Sequence, residues 1–252
     1  MSDLRPRRSV LYMPAANERA LDKARTIPAD ALILDLEDAV APDAKDAARA
    51  NACAAAASGD YGNREITIRC NALATPWGAD DLAAAATSGA QAVVIPKIES
   101  VDELDAVVTH LNAAGAPADL GVWAMVETPT AIADIRSIAA HPRVPVLVMG
   151  TNDLLKELRA EAGANREALV PHLAAALLDL ADHGRAQVAG QAIDAARRVA
   201  GAQGPGLVVV ERGADGGEEQ VAALAVDPRV GALDVDAVGD GVALGVAEGS
   251  AG

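Results

Sequence analysis

A (β/α)8 TIM barrel is the fold this chain predicts, and three observations carry that prediction. Short apolar segments alternate with Ala-rich helical ones over residues 9–160, the pattern of βαβ units around a parallel sheet. Most of the segments, residues 31–34 foremost, are continuous apolar runs, as strands buried on both faces must be, while residues 65–70 alternate. Charged residues stand at the segment ends about one βα unit apart. Glu37, Arg69, Lys97, Glu127 and Asp153 follow one another at separations of 32, 28, 30 and 26 residues. The C-terminal ends of barrel strands converge on one face, so these five side chains are expected to meet there.

Taken in order, residues 9–13 form a strand closed by Pro14, and Asn17 caps a helix over about 18–26 that Pro28 stops. Residues 31–40 run from four apolar positions into Asp35, Glu37 and Asp38, a strand with three acids at its exit. Such acids cannot all be buried unpaired, so they need a cation, hydrogen-bond donors or water. A helix over about 42–57, a strand over 65–70, a helix over 79–87 and a strand over 91–96 follow. Ser100, with Glu103 three residues on, opens a helix to about 113 as a capping box. Then come a strand over 120–126, a helix from Pro129 to about 140, a strand over 144–149 and a helix opened by Gly150-Thr151-Asn152-Asp153. Beyond residue 160, helices are expected at about 166–182 and 187–201, and strands at 207–210 and 242–246.

The 252 residues suit one domain of this kind. Aromatic residues are only 2% and Phe is absent, so Ala, Val, Leu and Ile must build the core. A net charge of −15 argues against nucleic acid or an anionic membrane as partner. Small anionic substrates stay open, because a local metal or Arg reverses the field within one cleft. Cys53 and Cys70 have neither a disulfide framework nor zinc spacing. No apolar stretch follows the basic start and no run reaches transmembrane length, so a soluble cytoplasmic protein is expected.

Two carboxylates with water or substrate oxygens make a hard site suited to Mg2+. Glu127 and Asp153 are the best pair, at the exits of adjacent strands; an ordinary helix N-terminal acid is the other reading of Asp153. Arg69 is able to fork two hydrogen bonds to a substrate carboxylate or oxyanion, or to pair with Asp35, Glu37 or Asp38; both can hold at once. Lys97 reads either as a Schiff-base lysine or, among so many acids, as a structural ion pair. The histidines at 110, 141, 172 and 183 lie away from strand exits and none is a catalytic candidate.

The motifs resemble those of the HpcH/HpaI aldolase and citrate lyase β-subunit family over about residues 7–160. They are Arg8-Ser9, Lys23-Ala24, Asp35-Leu36-Glu37-Asp38-Ala39-Val40 with Lys45 and Ala48-Arg49, Ile68-Arg69-Cys70-Asn71, Pro96-Lys97-Ile98-Glu99, Val126-Glu127-Thr128-Pro129 and Gly150-Thr151-Asn152-Asp153-Leu154. The Asp-Leu-Glu-Asp form is closer to the citrate lyase and malyl-CoA or citramalyl-CoA lyase branch than to the pyruvate aldolases. The resemblance implies a Mg2+-dependent barrel that makes or breaks a C–C bond between an acyl-CoA thioester and a 2-oxo-acid. It implies that Glu127 and Asp153 hold the metal and that Arg69 contacts the 2-oxo-acid. Asp35, Glu37, Asp38 and Lys97 would support the site, Arg19 and Lys23 would meet CoA phosphates, and the protein would be a homo-oligomer, trimer or hexamer. No residue of this chain is assigned as the enolate-forming base.

The resemblance stops near residue 160. Residues 161–252 lack the family's Asp-Gly-Pro or Asp-Gly-Val and Ile-His-Pro motifs, hold no aromatic and no lysine, and are Gly-rich around 201–217 and 239–252. The expectation is therefore two parts: residues 1–160 as the first six barrel units with the site, and residues 161–252 as an atypical completion of the barrel or a partly disordered tail. The alternatives to a CoA-thioester lyase are a 2-oxo-acid aldolase that uses no CoA, and a metal- or ligand-binding barrel without turnover.

Overall fold

A computed structural model describes residues 7, 9–161, 168–182, 207–212 and 221–225. The strands are β1 (Ser9–Pro14), β2 (Ala31–Asp35), β3 (Glu65–Arg69), β4 (Ala92–Ile95), β5 (Gly121–Val126), β6 (Val146–Gly150), β7 (Leu207–Arg212) and β8 (Val221–Ala225). They close into a barrel in sequence order. The helices are α1 (Glu18–Ala24), α2 (Lys45–Ser58), α3 (Gly78–Ala86), α4 (Val101–Ala113), α5 (Pro129–Ala133), α6 (Ile135–Ala140), α7 (Thr151–Leu158) and α8 (Val170–Asp182).

From β1 to β7 every neighbouring pair is parallel. The strands read as continuous apolar runs because both faces are buried. One set of side chains, Val10, Ile33, Val94, Trp123, Met125 and Val148 among them, fills the barrel interior. The alternate set, such as Leu32, Leu34, Ile68, Val93 and Leu147, packs outward among Leu82, Leu104 and Ile138 of the helices. The expected caps form: Asn17 accepts from Ala20 N, and Ser100 from Glu103 N. The helix expected from Pro129 to 140 breaks at Asp134, which leaves helical geometry and accepts the Ser137 hydroxyl at 2.7 Å.

The barrel departs from eight repeated βα units at its last strand. β8 is antiparallel to both β7 and β1. Arg212 pairs with Val221, and the few residues between them are too few for a crossover helix, which needs about a dozen. β7 and β8 thus meet as an antiparallel pair. The helix expected at 187–201 and the strand expected at 242–246 lie outside the described residues.

Candidate active site

The site sits at the C-terminal ends of the parallel strands, where the ladder continues past the strands themselves. Ala15 N donates to Asp35 O, Leu36 N to Arg69 O and Ile98 N to Met125 O. These bonds hold the exit loops of β1, β2 and β4 in sheet register, so the side chains they carry are placed by the barrel.

Asp35 and Arg69 are register partners on β2 and β3 and both are buried. Arg69 Nε donates to Asp35 Oδ1 at 2.7 Å and Nη2 to Oδ2 at 2.5 Å. The same carboxylate accepts the Glu37 and Ala39 backbone N–H groups at 2.8 and 3.2 Å. Four donors saturate Asp35, which therefore orients Arg69 rather than binding a metal. Arg69 Nη1 lies 3.0 Å from Glu37 Oε2 and 3.5 Å from Asp38 Oδ2. Burial opposes the Arg69 charge, but the Asp35 carboxylate outweighs it and holds the guanidinium pKa well above its ordinary value.

Glu127 follows β5 and is buried, as is Thr151 just past it on β6's exit, while Asp153 is half-buried in the first turn of α7. The Glu127 carboxylate occupies the space where a side chain on Gly150 would stand. A Cβ there would collide with Glu127 Oε2 and come within 2.5 Å of Glu127 Cβ. Glu127 Oε1 accepts the Lys97 backbone N–H at 2.9 Å. Lys97 takes a left-handed conformation, φ 52°, which a non-glycine residue adopts only at a cost of about 1 kcal/mol. The cost falls where it aims an N–H at a buried carboxylate. The Lys97 side chain itself is exposed, and its charge acts on Glu37.

Burial, and then the negative charges of Glu37 and Asp153, push the Glu127 carboxyl up to about 8, against the Lys97 N–H and the Arg69 charge. Burial, offset in part by Arg69 and reinforced by Asp38 and Asp35, raises Glu37 to about 7. Carboxylates that feel one another in a dry site are poised for a hard cation, which would remove the repulsion. Among the described residues no three His, Cys, Asp or Glu side chains could cage a metal by themselves. The donor set fits a divalent ion held by two protein carboxylates, with oxygens of water and substrate completing its shell.

A second network holds the acid loop from below. The buried Lys45 ammonium donates to Leu36 O and Glu37 O, both at 2.7 Å, and to Asn71 Oδ1 at 2.9 Å. Asn71 Nδ2 donates to Leu36 O and to Asp81 Oδ2, and Asp81 pairs with Arg49 at 2.7 Å. Burial lowers the Lys45 pKa, yet three acceptors use all of its N–H groups.

The family profile for HpcH/HpaI aldolase/citrate lyase matches residues 8–222. The chain belongs to this family. It is 45% identical over 179 residues to the (3S)-malyl-CoA thioesterase of Cereibacter sphaeroides, a match covering 71% of this chain and 61% of that protein. It is 37% identical over 163 residues to the citrate lyase β subunit of Escherichia coli, covering 62% of this chain and 54% of that one. The chain thus spans about three fifths of the length of the curated relatives it matches. Among solved structures, the citrate lyase β subunit of Mycobacterium tuberculosis complexed with oxaloacetate and magnesium superposes with a TM-score of 0.57 at 28% identity, over 71% of this chain and 76% of that one.

Within this family site, the fold gathers Asp35, Glu37, Asp38, Arg69, Lys97, Glu127 and Asp153 at one end of the barrel, as their spacing predicts. Arg19 and Lys23 lie exposed on α1, which follows the β1 exit. Three contributors escaped the sequence reading. Lys45 and Asn71 stood within the family motifs with no role attached, and their pairing across 26 residues leaves no local signature. Gly150 looked like a helix opening, whereas its missing side chain makes room for Glu127.

Proposed function

We propose that this chain is a Mg2+-dependent acyl-CoA lyase that cleaves or forms a 3-hydroxyacyl-CoA thioester such as malyl-CoA, citramalyl-CoA or citryl-CoA. The products of cleavage are acetyl-CoA and a 2-oxo-acid. The observation that carries the reading is the buried Glu127 carboxylate, crowded by Glu37 and Asp153, beside a guanidinium that Asp35 holds on two bonds. The malyl-CoA and citrate lyase names of the relatives support the substrate class, and the magnesium and oxaloacetate of the solved relative support the cofactor and the 2-oxo-acid.

Glu127 and Asp153 would hold the ion, which when bound supplies Lewis-acid polarisation of the 2-oxo-acid oxygens. Arg69 gives two N–H groups to Asp35 and turns Nη1 to Glu37 and Asp38. Arg69 would also donate to a substrate oxygen. In cleavage the hydroxyl proton passes to water and the bond between the hydroxyl-bearing carbon and the carbon next to the thioester breaks. The electron pair passes to the thioester enolate, which takes a proton from water to give acetyl-CoA, while Arg69 donates to the oxygen that becomes the 2-oxo group. Asp35 keeps the guanidinium from turning, and Lys45 keeps Glu37 beside it. Phosphate contacts from Arg19 and Lys23, an ion-pair role for Lys97, and assembly as a trimer or hexamer belong to the same proposal.

The reaction is tested by incubating purified protein with malyl-CoA and MgCl2 and separating the products. Glyoxylate with acetyl-CoA is the expected pair; no turnover of malyl-CoA or citramalyl-CoA by folded, metal-binding protein would refute the lyase. A second reading, hydrolysis of the thioester, is favoured by the 45% identity to a malyl-CoA thioesterase. It would give malate and free CoA in the same assay.

A further inference from the structure

Tyr12 is a buried titratable group that this mechanism leaves unused. It stands on β1 among the side chains filling the barrel interior and is only 3% exposed. Pro14, two residues on, is the register partner of Asp35, so Tyr12 lies one pleat repeat beneath the Asp35–Arg69 layer. The Arg69 guanidinium carbon sits 4.9 Å from the centre of its ring. Burial raises the phenol's pKa, and the nearby charges of Arg69, Asp35, Glu127 and Glu37 all act on it. The hydroxyl is buried and has no hydrogen-bond partner among the described residues.

A buried hydroxyl without a partner is destabilising, so the phenol does not owe its place to a hydrogen bond. What it offers the site is its ring. The negative face of an aromatic ring attracts a guanidinium, most strongly where water is excluded. Asp35 fixes Arg69 within the plane of its fork but does nothing to stop the guanidinium tilting or sinking toward the barrel axis. A ring beneath it does. We propose that Tyr12 is a positioning residue for Arg69, its ring face setting the height and tilt at which the guanidinium meets an anionic 2-oxo-acid.

The inference rests on the proposed function only for the identity of the ligand, and the test separates the two. The Arg69 Nε–H signal in a 15N-correlated NMR spectrum is assigned by its loss in Arg69→Lys. Ring-current shielding of that signal reports the stacking with no ligand present. Tyr12→Phe keeps the face and drops the hydroxyl; Tyr12→Leu removes the face, with Tyr12→Met as a second, longer and more adaptable apolar replacement should Leu fail to fold. The shielded signal is expected to persist in Phe and to move downfield and exchange faster in Leu or Met. By calorimetry in MgCl2, glyoxylate affinity is expected to fall by up to about thirtyfold in Leu or Met, the size of a desolvated cation–π contact, and to hold within about twofold in Phe. An unshifted Arg69 signal in Leu and Met, or a signal that Phe fails to hold, would overturn the assignment. If the signal behaves as expected while unmutated protein ignores glyoxylate, the positioning of Arg69 stands and the 2-oxo-acid reading falls.

Discussion

The barrel carries the same arrangement at both of its ends, and the two are used differently. At the C-terminal end of β3, Arg69 forks onto Asp35 and lies over Tyr12. At the opposite end of the same strand, Arg7 Nε and Nη2 fork onto Glu65 at 2.6 and 2.9 Å, and Arg7 lies 5.3 Å over Trp123. Each is an arginine held on two bonds by a carboxylate, with an aromatic face alongside. The pair geometry is therefore not what makes a site. The difference is the company: Glu37, Asp38, Glu127 and Asp153 crowd the Arg69 end, where burial raises the pKa of Glu127 and Glu37, Glu37 and Asp153 adding to it at Glu127 and Asp38 and Asp35 at Glu37. The Arg7–Glu65 end stitches the bottom of the barrel. Excess like charge at the Arg69 end is a demand that a cation and an anionic ligand can meet together.

The largest expected effect comes from removing the charge that this crowding concerns. Glu127→Gln keeps the shape and is expected to reduce activity on malyl-CoA by at least about a hundredfold, the range for disturbing a metal's ligand set, and to abolish Mg2+ binding by calorimetry. Unchanged Mg2+ affinity would remove Glu127 from the ligand set and leave the two ends of the barrel equivalent.

Next in size is the loss of a buried counter-ion. Asp35→Ala strands Arg69 and should cost about 3–5 kcal/mol in urea unfolding, with activity lost as well. Glu65→Ala at the other end should lower stability by less, since Arg7 is 14% exposed against 4% for Arg69, and should leave kcat/KM within about twofold where stability alone is affected. A drop in kcat/KM for Glu65→Ala comparable to that for Asp35→Ala would break the distinction.

Gly150→Ala tests the packing around Glu127, the carboxylate proposed to hold the metal. The added methyl meets Glu127 and should cost about 1–3 kcal/mol, the range for overpacking, while weakening Mg2+ because Glu127 has to move. A substitution without effect on Mg2+ would show that Glu127 binds from a different rotamer.

The smallest effect is a pH dependence. Glu127 titrates near 8 and Glu37 near 7 in the folded chain, against 4.5 ordinarily. Between those values the folded state holds more protons than the unfolded one, so the stability these groups contribute is complete below pH about 4.5 and is lost as pH rises toward 8. The thermal midpoint of metal-free protein should fall from pH 5 to pH 9, Glu127→Gln should flatten that fall, and saturating Mg2+ should oppose it. A midpoint that rises over this interval would contradict the raised values.

Several features needed nothing but the sequence. Continuous apolar runs with charged exits at barrel spacing are a one-dimensional signal, because a strand buried on both faces has little choice of residue and a βα unit has a nearly fixed length. Asn17 and Ser100 were likewise legible, since a cap contacts residues only three positions away. The family motifs reached residue 154, and with them came Asp35, Arg69, Glu127 and Asp153 as a set.

Other features were decided by what lies opposite in space. That Asp35 is saturated by four donors, two of them from a residue 34 positions away, gives one of the acids expected to support the site a specific form, a clamp on Arg69. Lys45, Asn71 and Asp81 join three elements through buried polar atoms, and no periodicity announces such a partnership. Gly150 is empty because Glu127 of the next strand needs the space, and Tyr12 lies under Arg69 because the barrel curls β1 beneath the β3 exit. The antiparallel β8 follows the same rule: the apolar run 221–225 fits a strand of either direction, and only its pairing with β7 and β1 sets which. The order of residues along the chain determined which side chains reach the end of the barrel. Register across strands 20 to 35 residues apart decided which of them touch, and so which clamps and which supports.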